Sequence, residues 1–128
     1  MNLLLDTHIW IWAKSDPARI GERAAQELSK VNNELWLSPV SVWEALALMQ
    51  KGRIRMENPL FWVEQAAEQM REAPLTNEIV RTAFALQLPH ADPADRFLAA
   101  TAKVLNLTLV TADRKLLQLG DISSLANR

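Results

Sequence analysis

Four acidic residues, Asp6, Glu44, Asp95 and Asp113, stand at matching kinds of position along the chain. Asp6 ends the apolar run Leu3-Leu4-Leu5, and Asp113 comes soon after Leu107-Thr108-Leu109-Val110, so each is expected just beyond a strand. Glu44 and Asp95 fall in the first turns of two segments with helical periodicity. In an open parallel sheet these places share one edge, the carboxyl ends of the strands, where such folds bind ligands. Carboxylates gathered in one small volume repel each other unless a cation sits between them, which implies Mg²⁺ or Mn²⁺. Such an ion lowers the pKa of water and offsets charge building on a phosphate, so the constellation suits hydrolytic phosphodiester cleavage.

Each acid also has a purely structural explanation. Ser41-Val42-Trp43-Glu44 has the form of a capping box, in which Glu44 would only satisfy backbone donors, and alone Glu44 reads better that way. Asp92-Pro93-Ala94-Asp95 is a good helix opening, with Asp92 as N-cap and Asp95 at the positive end of the macrodipole. Asp6 and Asp113 could cap the helices that follow them. What favours chemistry is their joint occurrence, because four independent caps need not converge on one edge.

The elements that would position these residues alternate in type. Strands are expected at Leu3–Leu5, Glu34–Ser38 and Leu107–Val110, with an edge strand at Ile122–Leu125. Helices are expected around His8–Ala13 and Gly21–Val31, from Ser41 to a stop at Gly52, and from Pro59 to about Arg71. Ala73-Pro74-Leu75 reads as a short extended connection. Further helices are expected from a cap at Asn77 to Leu86, over Ala94–Leu105, and at Lys115–Gln118. Helices alternating with short, wholly apolar strands indicate an α/β sandwich with a largely parallel sheet, as one domain over residues 1–128.

On the helix from Ala94, steps of 100° place Asp95, Ala99 and Ala102 on one face and Arg96, Ala100 and Lys103 on another. The alanines let the Asp95 face approach the sheet, and Arg96 and Lys103 are expected to be free for solvent or phosphate.

Composition narrows the field. With 14 Lys and Arg against 15 Asp and Glu, the net charge of -1 does not itself mark a nucleic-acid binder, so any such role needs local basic patches. Arg114 and Lys115 beside Asp113 are candidates for RNA contact, as is Arg96; Lys51, Arg53 and Arg55 form a cluster that is either a solvated helix end or a backbone contact. Without Cys there are no disulfides or thiolate ligands, and two His supply a zinc site poorly. His8 and His90 invite a general-base role, since an unperturbed imidazole titrates near neutrality, but a structural or supporting role suits them better, because metal-activated water needs no imidazole base. The Trp residues at 10, 12, 36, 43 and 62 are scattered and read as core or interface material, because base-stacking aromatics usually come with basic neighbours. No run approaches the roughly 20 apolar residues that span a bilayer, and the start lacks a signal peptide's basic flank, so a soluble cytoplasmic protein is the expectation.

The ordered segments Leu3-Leu4-Leu5-Asp6-Thr7-His8, Ser38-Pro39-Val40-Ser41-Val42-Trp43-Glu44, His90 through Ala102, and Leu109-Val110-Thr111-Ala112-Asp113 resemble the successive motifs of PIN domains. The resemblance is strongest to the VapC-type toxins of bacterial toxin-antitoxin pairs and runs from Asn2 to about Leu119. It implies a three-layer α/β/α sandwich with a largely parallel central sheet, RNA cleavage with Mg²⁺ or Mn²⁺, a homodimer, and inhibition by a cognate antitoxin. It maps the metal-binding acids onto Asp6, Glu44, Asp95 and Asp113, a supporting hydroxyl onto Thr111, and an assisting acid onto Asp92. Two other readings compete. A phospho-receiver domain also gathers acids around Mg²⁺, but here no adjacent acidic pair follows the first strand and no middle strand ends in a phosphorylatable Asp. An inert interaction module would use the acids only as caps.

Overall fold

A computed structural model describes residues 1–88 and 92–128; His90 lies outside the described residues. The chain runs β1 (Asn2–Leu5), α1 (Thr7–Ser15), a 3₁₀ turn (Pro17–Arg19), α2 (Glu22–Ser29), β2 (Glu34–Leu37), α3 (Pro39–Gln50), α4 (Pro59–Ala66) and β3 (Arg71–Glu72). It continues through α5 (Asn77–Ala85), α6 (Pro93–Leu105), β4 (Thr108–Thr111), α7 (Arg114–Leu117) and β5 (Ser123–Ala126). The strands form one sheet in the order β3-β2-β1-β4-β5, and every pairing is parallel.

The apolar run of β1 is continuous because helices cover both faces of the sheet. Leu4 packs on one side with Ile79 of α5, Leu98 and Ala99 of α6, and Leu109. Leu3 and Leu5 point to the other side, among Ile9 and Trp10 of α1, Ala45 of α3, Val63 of α4, and Val110. The result is a three-layer α/β/α arrangement. Successive strands leave β1 toward β2 and β3, and the chain then returns to β4 on the opposite flank. That reversal opens a crevice beyond the ends of β1 and β4. The Asp6 amide donates to the Val110 carbonyl at 3.0 Å and fixes the depth of the crevice floor.

Several expected boundaries move. Helix α3 begins at Pro39, two residues before Ser41, with Ser38 as its cap: the buried Ser38 hydroxyl accepts from the Val40 amide at 3.1 Å. Thr76 rather than Asn77 caps α5, its hydroxyl accepting from the Ile79 amide. Helix α4 ends at Ala66, not near Arg71, because Arg71 and Glu72 pair with Trp36 and Leu37 as β3. The Arg71 guanidinium lies 4.9 Å from the Trp36 ring centroid and bonds both Glu34 carboxylate oxygens, contacts that a helical continuation would forfeit. Of the five Trp residues, Trp10 is wholly buried and donates from Nε1 to the Ala66 carbonyl, whereas Trp43 is 67 % exposed. No helix among the described residues is long and apolar enough to cross a membrane.

Candidate active site

The crevice holds a cavity of about 340 Å³ whose walls include Asp6, Glu44, Asp92, Asp95 and Asp113. Five acids from four stretches of chain thus meet where β1 and β4 end and where α3 and α6 begin.

Asp6 is the most tightly held. Its Oδ1 accepts from the Thr7 amide at 2.7 Å and its Oδ2 from the Thr111 hydroxyl at 2.6 Å. The Thr111 oxygen in turn accepts from the Asp113 amide at 3.0 Å, so one buried hydroxyl joins the ends of β1 and β4. Asp113 caps α7, its Oδ1 accepting from the amides of Lys115 and Leu116. Both acids therefore cap helices and still face the cavity.

Glu44 does not complete a capping box with Ser41. Ser41 is buried inside α3, and its hydroxyl bonds that of Thr7 at 2.9 Å. Thr7 Oγ1 also donates to Glu44 Oε1, which turns that carboxylate toward Asp6. Thr7, adjacent to Asp6 in sequence, is the positioning residue that sequence reasoning passed over; a hydroxyl directly after a strand-end acid was the available signal.

Asp92 caps α6 by accepting from the Asp95 amide at 2.9 Å, as its place before Pro93 indicated. Asp95 opens the helix on the face whose Ala99 and Ala102 are buried against the sheet. Arg96 and Lys103 are not free: Arg96 Nη2 donates to the Leu86 carbonyl at 3.1 Å, and Lys103 pairs with Asp121 at 2.8 Å. Arg114 and Lys115 are exposed next to Asp113, whereas Lys51, Arg53 and Arg55 are exposed beyond the far end of α3 and contribute nothing to the cavity wall.

The electrostatics match this crowding. Burial raises the Asp6 carboxyl above the ordinary range, against the lowering effects of the Thr111 hydroxyl, the Thr7 amide and His8. Burial raises Glu44 too, and the Thr7 hydrogen bond only partly offsets it. Asp95 is pushed up to about 7, first by burial and then by Asp92, Asp6, Asp113 and Glu44 in turn. Four like charges act on one carboxyl, a situation that a divalent cation relieves. The donor set fits a hard ion, being wholly carboxylate oxygen. Among the described residues no three acidic or His side chains are spaced to hold an ion as they stand.

Residues 3–122 match the PIN domain family. Ribonuclease VapC22 of Mycobacterium tuberculosis is 36% identical over 117 residues, covering 90% of this chain and 89% of that protein. Among solved structures, VapBC2 from Rickettsia felis, bound to a DNA fragment from its promoter, superposes with a TM-score of 0.79 at 16% identity over 98% of each chain. VapBC-1 from nontypeable Haemophilus influenzae gives 0.71 at 24% identity, again over 98% of each chain. The acids at the crevice, the parallel order around β1 and the extent of these matches agree: the chain belongs to the PIN-domain family and is of its VapC type.

Proposed function

We propose that this protein is a divalent-metal-dependent endoribonuclease acting as the toxin of a toxin-antitoxin pair. The observation that carries the reading is the convergence of Asp6, Glu44, Asp95 and Asp113 on one cavity, where burial and then the neighbouring acids push the Asp95 carboxyl up. These four residues would hold Mg²⁺ or Mn²⁺. When bound, the ion lowers the pKa of water and neutralises charge building on the scissile phosphate.

The chain's own groups supply the orientation. Thr111 and the Thr7 amide occupy one lone pair on each Asp6 oxygen and fix the carboxylate plane. Thr7 holds Glu44 toward the same space, and Asp92 sets the start of α6 and hence the height of Asp95. Arg114 and Lys115 at the rim engage the RNA backbone as point charges. Arg96, held by the Leu86 carbonyl, places α6 rather than RNA.

Beside the acids lies an apolar groove of about 570 Å³ lined by Val40, Trp43, Leu75 and Phe97, which shares Glu44 and Asp92 with the cavity. An antitoxin segment with apolar side chains and a cation suits that junction. The relatives solved as toxin-antitoxin complexes support such a partner. Exposed Val80 and Phe84 on α5 suit a second copy of the chain. An RNA target accords with a cytoplasmic place of action.

The test is cleavage of single-stranded RNA by the purified protein with Mg²⁺ or Mn²⁺. Asp6→Asn and Asp95→Asn are expected to abolish it while circular dichroism stays that of a folded protein. Full cleavage by both variants overturns the assignment. Calorimetry with Mn²⁺ separates this reading from an inert module, for which Asp6→Asn would change nothing.

A further inference from the structure

We infer that His8, Trp12 and Arg19 form a stacking shelf at the rim of the acidic cavity, which takes an unpaired nucleobase adjoining the cleaved phosphate; this rests on the nuclease reading. His8 and Trp12 are four residues apart on α1, and both line the cavity that the acids line. Their rings lie 5.7 Å apart and tilted by 51°. The Arg19 guanidinium, from the 3₁₀ turn, sits 4.5 Å from the Trp12 ring centroid. His8 and Arg19 are exposed, and Arg19 enters no ion pair among the described residues.

No other Trp combines these features. Trp10 is buried against Trp62, and the cation over Trp36 is already neutralised by Glu34. Trp43 is exposed along the neighbouring apolar groove with no cation over its ring among the described residues. Among the described residues, Trp12 alone joins an aromatic face, a cation with no ion pair and a place in the cavity wall. The basic partner that base-stacking aromatics usually have is therefore present, but it comes from a separate turn.

The shelf is anchored to the site. Asn127 Nδ2 donates to the Arg19 carbonyl, and the Asn127 amide donates to the Thr111 carbonyl, each at 3.0 Å. The turn bearing Arg19 is thus tied to the strand that delivers Thr111 and Asp113. A guanidinium lying on an indole leaves its outer plane available for a base, and its charge attracts an anionic strand that the acids would otherwise repel. Bases inside a duplex expose no face, so the substrate class is single-stranded or looped RNA.

The experiment measures the affinity of an unpaired, mixed-sequence oligoribonucleotide in EDTA, where no cleavage occurs, and KM for its cleavage with Mn²⁺. Trp12→Leu is expected to weaken affinity and raise KM roughly tenfold, the size of one base–aromatic stack, whereas Trp12→Phe keeps most of both. An abasic strand of equal length should bind wild type and Trp12→Leu alike. Equal affinities for the intact RNA, or a loss in Trp12→Phe as large as in Trp12→Leu, overturns the shelf. His8→Ala should weaken the same affinity and raise KM, whereas His8→Phe, which keeps a ring, retains most of both; a drop in kcat with unchanged KM in His8→Phe would mean proton chemistry by the imidazole and would remove His8 from the shelf. Failure of the nuclease reading shows separately, as absent Mn²⁺ binding and cleavage in wild type, with the EDTA affinities still reporting on the shelf.

Discussion

The acids that follow strands and the acids carried on helices reach the same cavity by different means. Asp6 and Asp113 are fixed by backbone amides and by the Thr111 hydroxyl. Glu44 depends on a single side-chain donor, Thr7, and among the described residues no donor reaches the Asp95 carboxylate. The first pair stabilises the fold by capping while it faces the cavity. The second pair is held there by the packing of α3 and α6, and Asp95 has no bond to offset its repulsion. Structural and chemical readings of an acid are therefore not exclusive, and the balance between them differs within one site.

The largest test of this contrast is truncation, with cleavage read in Mn²⁺ and stability read with metal chelated. Asp6→Ala and Asp95→Ala are both expected to lose cleavage, yet only Asp6→Ala should lower stability in urea titration, by about 1 kcal/mol or more for a lost cap. Asp95→Ala should leave stability level or raise it. Equal destabilisation would erase the distinction. Thr111→Val sharpens it, because it removes the donor to Asp6 and the acceptor for the Asp113 amide in a buried setting; the expected cost is about 1–3 kcal/mol, read from the same titrations.

A gentler test uses pH. Asp95 keeps its proton in the folded protein up to about 7, whereas an unfolded carboxyl loses it near 3.8. Between those values the folded state binds more protons, so the stability of the metal-free protein should fall as pH rises through that window and then level off. Asp95→Asn should flatten the dependence in thermal melts, and Mn²⁺ should offset the loss above pH 7. The smallest expected effect concerns the start of α3. Ser38→Ala should cost about 1 kcal/mol as a lost cap, while keeping Glu44 in place through Thr7.

Much of this was legible from residue order. The apolar runs of β1, β2 and β4 needed no partner information, because strands covered on both faces show unbroken hydrophobicity. Helix α6 followed from Asp92-Pro93 and its alanine face. What was not legible depended on contacts distant in sequence. Arg71 and Glu72 continue a local helical pattern, and only pairing with Trp36 and Leu37 makes them a strand. Ser41 and Glu44 fit a capping box by spacing, and only Thr7, 37 residues before Glu44, reassigns the carboxylate. Arg96 and Lys103 looked free because Leu86 and Asp121 lie outside the helix that bears them.

The central place of β1 also governs when the acidic cavity can form. Leu5 pairs with Val110, so the acids at positions 6 and 113 become neighbours only after most of the chain has emerged and the fourth strand has docked. Such long-range pairing is slow to form compared with local helices. A growing polypeptide that stops before residue 108 carries most of the cavity wall but lacks Asp113 and the strand that forms its floor. Ribosomal synthesis therefore sets a delay before the full set of acids can assemble, and a product truncated there lacks the complete site by geometry.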